Sequence, residues 1–157
     1  MGDRPTFEYQ GQPVRAAGIL VYTFHHGSRF LLFRRVNGKL EDIGGKTDPQ
    51  DHSIFHTAAR EGCEETNGKL FSKHHTRAVC FRILLDLLQN TGEPEYNKRC
   101  KYLLFKIWVS PRILKESMTR FGLEEKTDRG TLQHYYRWHQ RLPTYPQLHF
   151  RLKGLQL

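Results

Sequence analysis

Between Ser53 and Asn67 the residues settle into a helical rhythm that dictates what must surround them. Ser53 can satisfy the first free amides of a helix, and Asn67-Gly68 can adopt the left-handed turn that ends one. At about 100° per residue, setting Glu61 at about 0° puts Glu64 near about −60° and Glu65 near about +40°, so three carboxylates share one stripe. Phe55, Ala59, Gly62, Cys63 and Thr66 fall on the opposite side. Such a helix must bury one face against other elements, and the spacing predicts a cluster of negative charge on the other.

The flanking sequence predicts a sheet for that apolar face. Residues 16–22 read as a buried strand, residues 25–28 as a turn and residues 29–33 as the hairpin partner. Residues 76–88 and 102–109 also read as strands, although the run 83–88 fits a helical turn equally well. Residues 89–100 read as a charged loop, and residues 1–15, with two glycines and two prolines among polar residues, as a loose lead-in. No internal repeat, low-complexity tract or linker divides the chain, so residues 1–157 read as one α+β domain in which helices cover a mixed sheet.

Composition narrows the class further. With 38% hydrophobic and 26% charged residues the chain is neither a disordered tail nor a membrane protein. No apolar run approaches the ~20 residues a bilayer requires, and Met1-Gly2-Asp3-Arg4-Pro5 lacks the apolar stretch of a signal peptide. Three widely spaced cysteines, Cys63, Cys80 and Cys100, fit neither a disulfide framework nor a metal-binding pair, which points to a reduced cytoplasmic or nuclear compartment. A net charge of +9, from 25 Lys and Arg against 16 Asp and Glu, favours polyanions such as nucleotides, RNA or phosphorylated metabolites, and fits a plain basic surface as well.

The chemistry concentrates in Gly44-Gly45-Lys46 and Arg60-Glu61-Gly62-Cys63-Glu64-Glu65. An acidic run is ordinarily a solvated helix face. Here a glycine-rich corner precedes it, where a backbone free of side chains can approach a ligand, and crowded carboxylates suit hard divalent ions such as Mg²⁺ or Mn²⁺. His52 and His56 are spaced as a zinc pair would be, but no third soft ligand lies near them in sequence.

This segment resembles the signature of the Nudix hydrolases, G-x5-E-x7-R-E-U-x-E-E-x-G-U with U a bulky aliphatic residue. Gly45, Arg60, Glu61, Glu64 and Glu65 match it directly. Asp51 stands where the family has Glu, eight residues rather than seven precede Arg60, Gly62 replaces the aliphatic residue, and Thr66-Asn67-Gly68 is one residue longer than usual. The insertions leave the relative spacing of the three glutamates intact.

The resemblance implies an α/β/α sandwich and hydrolysis of a diphosphate linked to another moiety, with Mg²⁺ or Mn²⁺ as cofactor. It implies Glu64 and Glu65 as metal ligands, Glu61 as a further ligand or the general base, the Gly44 carbonyl in the inner sphere, and Arg60 paired so as to orient a glutamate. Lys46 is a candidate phosphate contact, and Tyr22 and Arg34 are candidate base or phosphate contacts. Glu124 and Glu125 are the first candidates for a base from outside the signature, with Glu93 or Glu95 second; the ordinary reading of each is a surface carboxylate. Tyr135-Tyr136-Arg137-Trp138-His139 interleaves aromatics with a cation, suiting base stacking or, as a strand, core packing of Trp138. The apolar and basic C-terminal residues 148–153 suit either a packed end or an RNA contact. RNA-cap substrates, dinucleoside or inositol polyphosphates and nucleoside triphosphates all fit this pattern, as does a non-catalytic nucleotide- or RNA-binding module on the same fold.

Overall fold

The computed structural model describes residues 3–25, 28–36, 39–113, 126–127, 130–131 and 135–139. Where the sequence suggests a loose lead-in over residues 1–15, residues 7–14 instead form a hairpin. β1 (Phe7–Tyr9) and β2 (Gln12–Val14) form an antiparallel hairpin whose turn, Gln10-Gly11, has both φ angles positive, at 50° and 79°. That turn matches the twist of a two-residue hairpin. Val14 is fully buried and Phe7 and Tyr9 pack against the core, which is why these residues are held.

β3 (Ala16–His25) and β4 (Ser28–Val36) form the expected hairpin, with His25 opposite Ser28. β5 (Lys39–Glu41) folds back antiparallel on the end of β4, and β6 (Ile43–Lys46) runs antiparallel to the first half of β3, pairing Ile19 with Ile43 and Ala16 with Lys46. β7 (Glu95–Asn97) pairs antiparallel with β8 (Tyr102–Trp108), which runs parallel to β3. β9 (Lys126–Thr127) and β10 (Gly130–Thr131) make a small ribbon, and β11 (Tyr135–His139) pairs with β4, with Trp138 in register with Leu32. The sheet order among the described residues is β11-β4-β3-β8-β7, and the parallel pairing of β3 with β8 among antiparallel ones makes it mixed. The fold class is α+β, as the element pattern predicts.

α1 (Ile54–Glu65) and α2 (Arg77–Asn90) share one core with the sheet. α2 corrects the strand expected over residues 76–88. Cys80, Leu84 and Leu88 are buried at intervals of one helical turn, and the Thr76 side chain accepts the Val79 amide as an N-cap. The unbroken apolar run 83–88 hides this period, because Leu85 also packs on the core while Leu87 is exposed. Within the expected charged loop, β7 forms because Tyr96 packs on the core and donates its hydroxyl to the Pro13 carbonyl at 2.7 Å.

Gly62 explains how closely the layers approach. A Cβ there would lie 2.8 Å from Leu84 Cδ1 of α2 and 3.2 Å from Ile19 Cδ1 of β3. The missing side chain lets α1 sit at the junction of helix and sheet. No helix among the described residues is long and apolar enough to cross a membrane.

Candidate functional site

α1 begins and ends where its sequence signals lie. Ser53 caps it by accepting the His56 amide at 3.2 Å, and its last turn closes through Asn67 and Gly68, with φ angles of 52° and 74°. Arg77 at the start of α2 donates to Asn67 Oδ1 through Nε at 3.0 Å and Nη2 at 2.7 Å, pinning that turn to the second helix.

The carboxylate stripe does not face solvent as the helical wheel suggests. Glu61 and Glu65 are 1% and 2% exposed, while the Glu64 side chain keeps 23%. The reason is β6, which brings two glycines against this face of α1. The Gly44 amide donates to Glu65 Oε2 at 3.2 Å, and any Cβ on Gly45 would collide with the Glu61 carboxylate. Only a strand without side chains allows acidic groups to lie directly on its backbone.

Arg60 links three acids. Its Nε and Nη2 donate to Asp51 Oδ1 and Oδ2 at 2.8 and 3.1 Å, Nη1 donates to Glu64 Oε1 at 2.6 Å and lies 3.6 Å from Glu61 Oε2, and Nη2 also reaches the Lys46 carbonyl at 2.9 Å. Burial opposes its charge, but Asp51 and Glu64 outweigh that and hold it firmly protonated. Asp51 is itself buried and accepts the Thr57 hydroxyl at 2.7 Å and the Asp48 amide at 2.9 Å. Burial pushes its pKa up, yet the bonds from Arg60, Thr57 and Asp48 together hold it below the ordinary 3.8.

Beside these groups lies a cavity of about 370 Å³ lined by Gly45, Lys46, Thr47, Asp48, Arg60 and Glu61. This is within the ~300–1,000 Å³ range of small-ligand sites. Lys46 is exposed at its wall. Thr47 ties the N-terminal segment to the same wall, donating its hydroxyl to the Pro5 carbonyl at 2.7 Å and accepting from Arg4 Nε at 3.4 Å.

The fold thus gathers Gly44, Lys46, Arg60, Glu61, Glu64 and Glu65. Tyr22 is half-buried and lies beyond Ile19, the last β3 residue paired with β6, beside Trp108 of β8. The backbone of Arg34 pairs with Glu41, and its side chain lies outside those described. Glu124, Glu125 and residues 148–153 lie outside the described residues. Glu93 accepts from Gln10 Nε2 at 2.7 Å and Glu95 pairs with Leu104, so both sit by β7, with β8 and β3 between them and β6.

His52 and His56 stack on each other with ring centroids 5.1 Å apart, and His56 also packs on Phe81 at 4.9 Å. Among the described residues, no three His, Cys, Asp or Glu side chains form a ready-made metal cage. Asp51 is the partner that the sequence pattern showed only as a departure from Glu; its signal was its place just before the helix cap. Cys63 and Cys80, far apart in sequence, meet between the helices as free thiols, and the hydrogen bond with Cys80, followed by burial, pushes the Cys63 thiol well up.

No family model matches the chain. A protein of Acanthamoeba polyphaga mimivirus, described as uncharacterized, is 26% identical over 126 residues, which cover 69% of this chain and 41% of that protein. The chain therefore spans about two-fifths of that relative's length. The crystal structure of a C. elegans Ap4A hydrolase binary complex is similar with a TM-score of 0.48 and 18% identity, covering 90% of this chain and 94% of that one.

Proposed function

We propose that the chain is a Nudix-type pyrophosphohydrolase that uses Mg²⁺ or Mn²⁺ to cleave a diphosphate linked to another moiety. The observation that supports this reading is the packing of Glu61 and Glu65 directly on Gly44-Gly45, with Arg60 and Lys46 beside the same cavity. Burying two carboxylates costs several kcal/mol unless cations and donors offset it, so an acidic cluster inside a fold calls for a function.

The donor chemistry suits a hard divalent cation, although among the described residues the carboxylates do not stand together as a preformed cage. It consists of oxygen atoms only, from Glu61, Glu64, Glu65 and the Gly44 carbonyl, which is what such ions prefer. When bound, the ion neutralises diphosphate oxygens and stabilises charge on the leaving phosphate. Arg60 sets the Glu64 carboxylate by a 2.6 Å hydrogen bond and is itself fixed by Asp51. Lys46, at the cavity wall, offers a point charge to a substrate phosphate. Glu61 lines the cavity, which supports its role either as a further ligand or as the base that takes a proton from attacking water. Glu124 or Glu125 is the alternative base.

The net charge of +9 favours a long anion, so the substrate class we propose is a nucleotide or RNA-cap compound, with mRNA decapping as its most specific form. The test is a panel of capped and triphosphorylated RNA, dinucleoside polyphosphates, inositol polyphosphates and nucleoside triphosphates, incubated with Mg²⁺ or Mn²⁺ and read by product identity. Cleavage of a phosphoric anhydride that stops with chelator is expected. Tight binding of a panel member without turnover would instead make the chain a non-catalytic nucleotide- or RNA-binding module.

A further inference from the structure

Gly44 is held from both faces of the sheet. On the α1 side its amide donates to Glu65. On the other side stands Tyr102, the first residue of β8, whose hydroxyl donates to Asp42 Oδ2 at 2.7 Å. Tyr102 and Asp42 are 5% and 4% exposed. The phenol reaches Asp42 only because the cross-strand pair Gly18 and Gly44 has no side chains there: a Cβ on either would collide with the Tyr102 hydroxyl. Two facing glycines weaken a sheet, and a buried phenol and carboxylate are costly to desolvate. Their coincidence beneath the strand that carries Gly44 and Gly45 needs a reason beyond core packing, since Leu or Val could fill such a face.

We infer that Tyr102, acting through Asp42, is a positioning residue that sets the height of the Gly44-Gly45 backbone against the Glu61 and Glu65 carboxylates. Asp42 lies two residues before Gly44 and is locked by the Tyr102 hydroxyl, so β6 cannot rise or slide without breaking a buried hydrogen bond. In the hydrolase reading, on which the metal part of this inference rests, the Gly44 carbonyl and the α1 carboxylates must reach one ion, and their relative height decides whether they do.

The test uses Tyr102→Phe, which removes only the hydroxyl, Asp42→Asn as a second variant should the first fail to fold, and both together. In metal-free protein, amide exchange at Gly44 and Gly45 should accelerate roughly tenfold or more, while Ile19 and Leu103 on the neighbouring strands keep their protection. The Mn²⁺ dissociation constant, read by electron paramagnetic resonance, should weaken by roughly tenfold or more, as when a group behind a ligand is removed. On a substrate the wild type cleaves, kcat should fall with KM little changed, and the double variant should be no worse than the more severe single one. Uniform acceleration across the sheet, or unchanged exchange at Gly44 with unchanged Mn²⁺ affinity, overturns the positioning role. A wild-type protein that neither binds Mn²⁺ nor cleaves any panel member sinks the hydrolase reading instead, and the exchange pattern still decides the role of Tyr102.

Discussion

Arg60 grips Asp51 with two nearly parallel hydrogen bonds, Nε to Oδ1 at 2.8 Å and Nη2 to Oδ2 at 3.1 Å, and the remaining nitrogen of the same guanidinium holds Glu64. One planar cation thus joins the loop after β6 to the acidic face of α1. The fork geometry makes arginine hard to replace, because lysine offers a point charge without two aligned donors.

Arg60→Met and Asp51→Asn should each lower stability by about 2–4 kcal/mol, since removing one partner of a buried pair leaves the other uncompensated. Urea unfolding monitored by circular dichroism measures this. A loss under about 0.5 kcal/mol for both variants would place the pair among weak surface contacts.

Stability should also fall in two acid steps with opposite local origins. His56, facing Asp51, His52 and Arg60, has its pKa lowered from 6.5, chiefly by burial. The unfolded chain therefore takes up the proton first, and stability declines as pH drops below the unfolded value. Asp51 is lowered from 3.8, so its contribution is complete above that value and is lost as pH falls through the lower folded one. Thermal melts from pH 8 down to about pH 2 should show both, with His56→Gln removing the first and Asp51→Asn the second.

Glu64→Gln and Glu65→Gln keep side-chain size while removing the charge a hard cation needs. Turnover should drop by about two or more orders of magnitude with the fold intact, and chelator should abolish wild-type activity. For Glu65→Gln, relief of a buried charge should leave the melting temperature equal to or above the wild type's. Near wild-type rates in both variants would remove these residues from the metal site.

Gly62→Leu, which restores the aliphatic residue of the resembled signature, should destabilise by about 1–3 kcal/mol. Helix propensity favours the change by about 1 kcal/mol, but the 2.8 and 3.2 Å approaches to Leu84 and Ile19 leave no room for it. Equilibrium unfolding of the purified variant decides the sign.

Binding of capped or triphosphorylated RNA should weaken steeply with salt, because each phosphate contact releases counterions, whereas a mononucleotide should show a shallow slope. Equal slopes and equal low-salt affinities would make the +9 charge a solubility feature and favour a small metabolite as substrate.

What the sequence alone determined was local. The ends of α1 were legible because Ser53 and Asn67-Gly68 act on amides and carbonyls a few residues away, and the β3–β4 hairpin and β8 because their apolar runs are short and bounded. The three glutamates could be placed on one stripe because helical geometry is fixed by spacing. Which way that stripe faced was decided only when β6 arrived carrying two glycines, turning an apparent solvent face into a buried one. α2 escaped a strand reading only through tertiary packing, since a run that is apolar at nearly every position shows no period until one side is covered. Asp42 with Tyr102 and Cys63 with Cys80 were invisible for the same reason: each pair joins different elements, and no local preference encodes a contact that exists only after the sheet and helices close on one core.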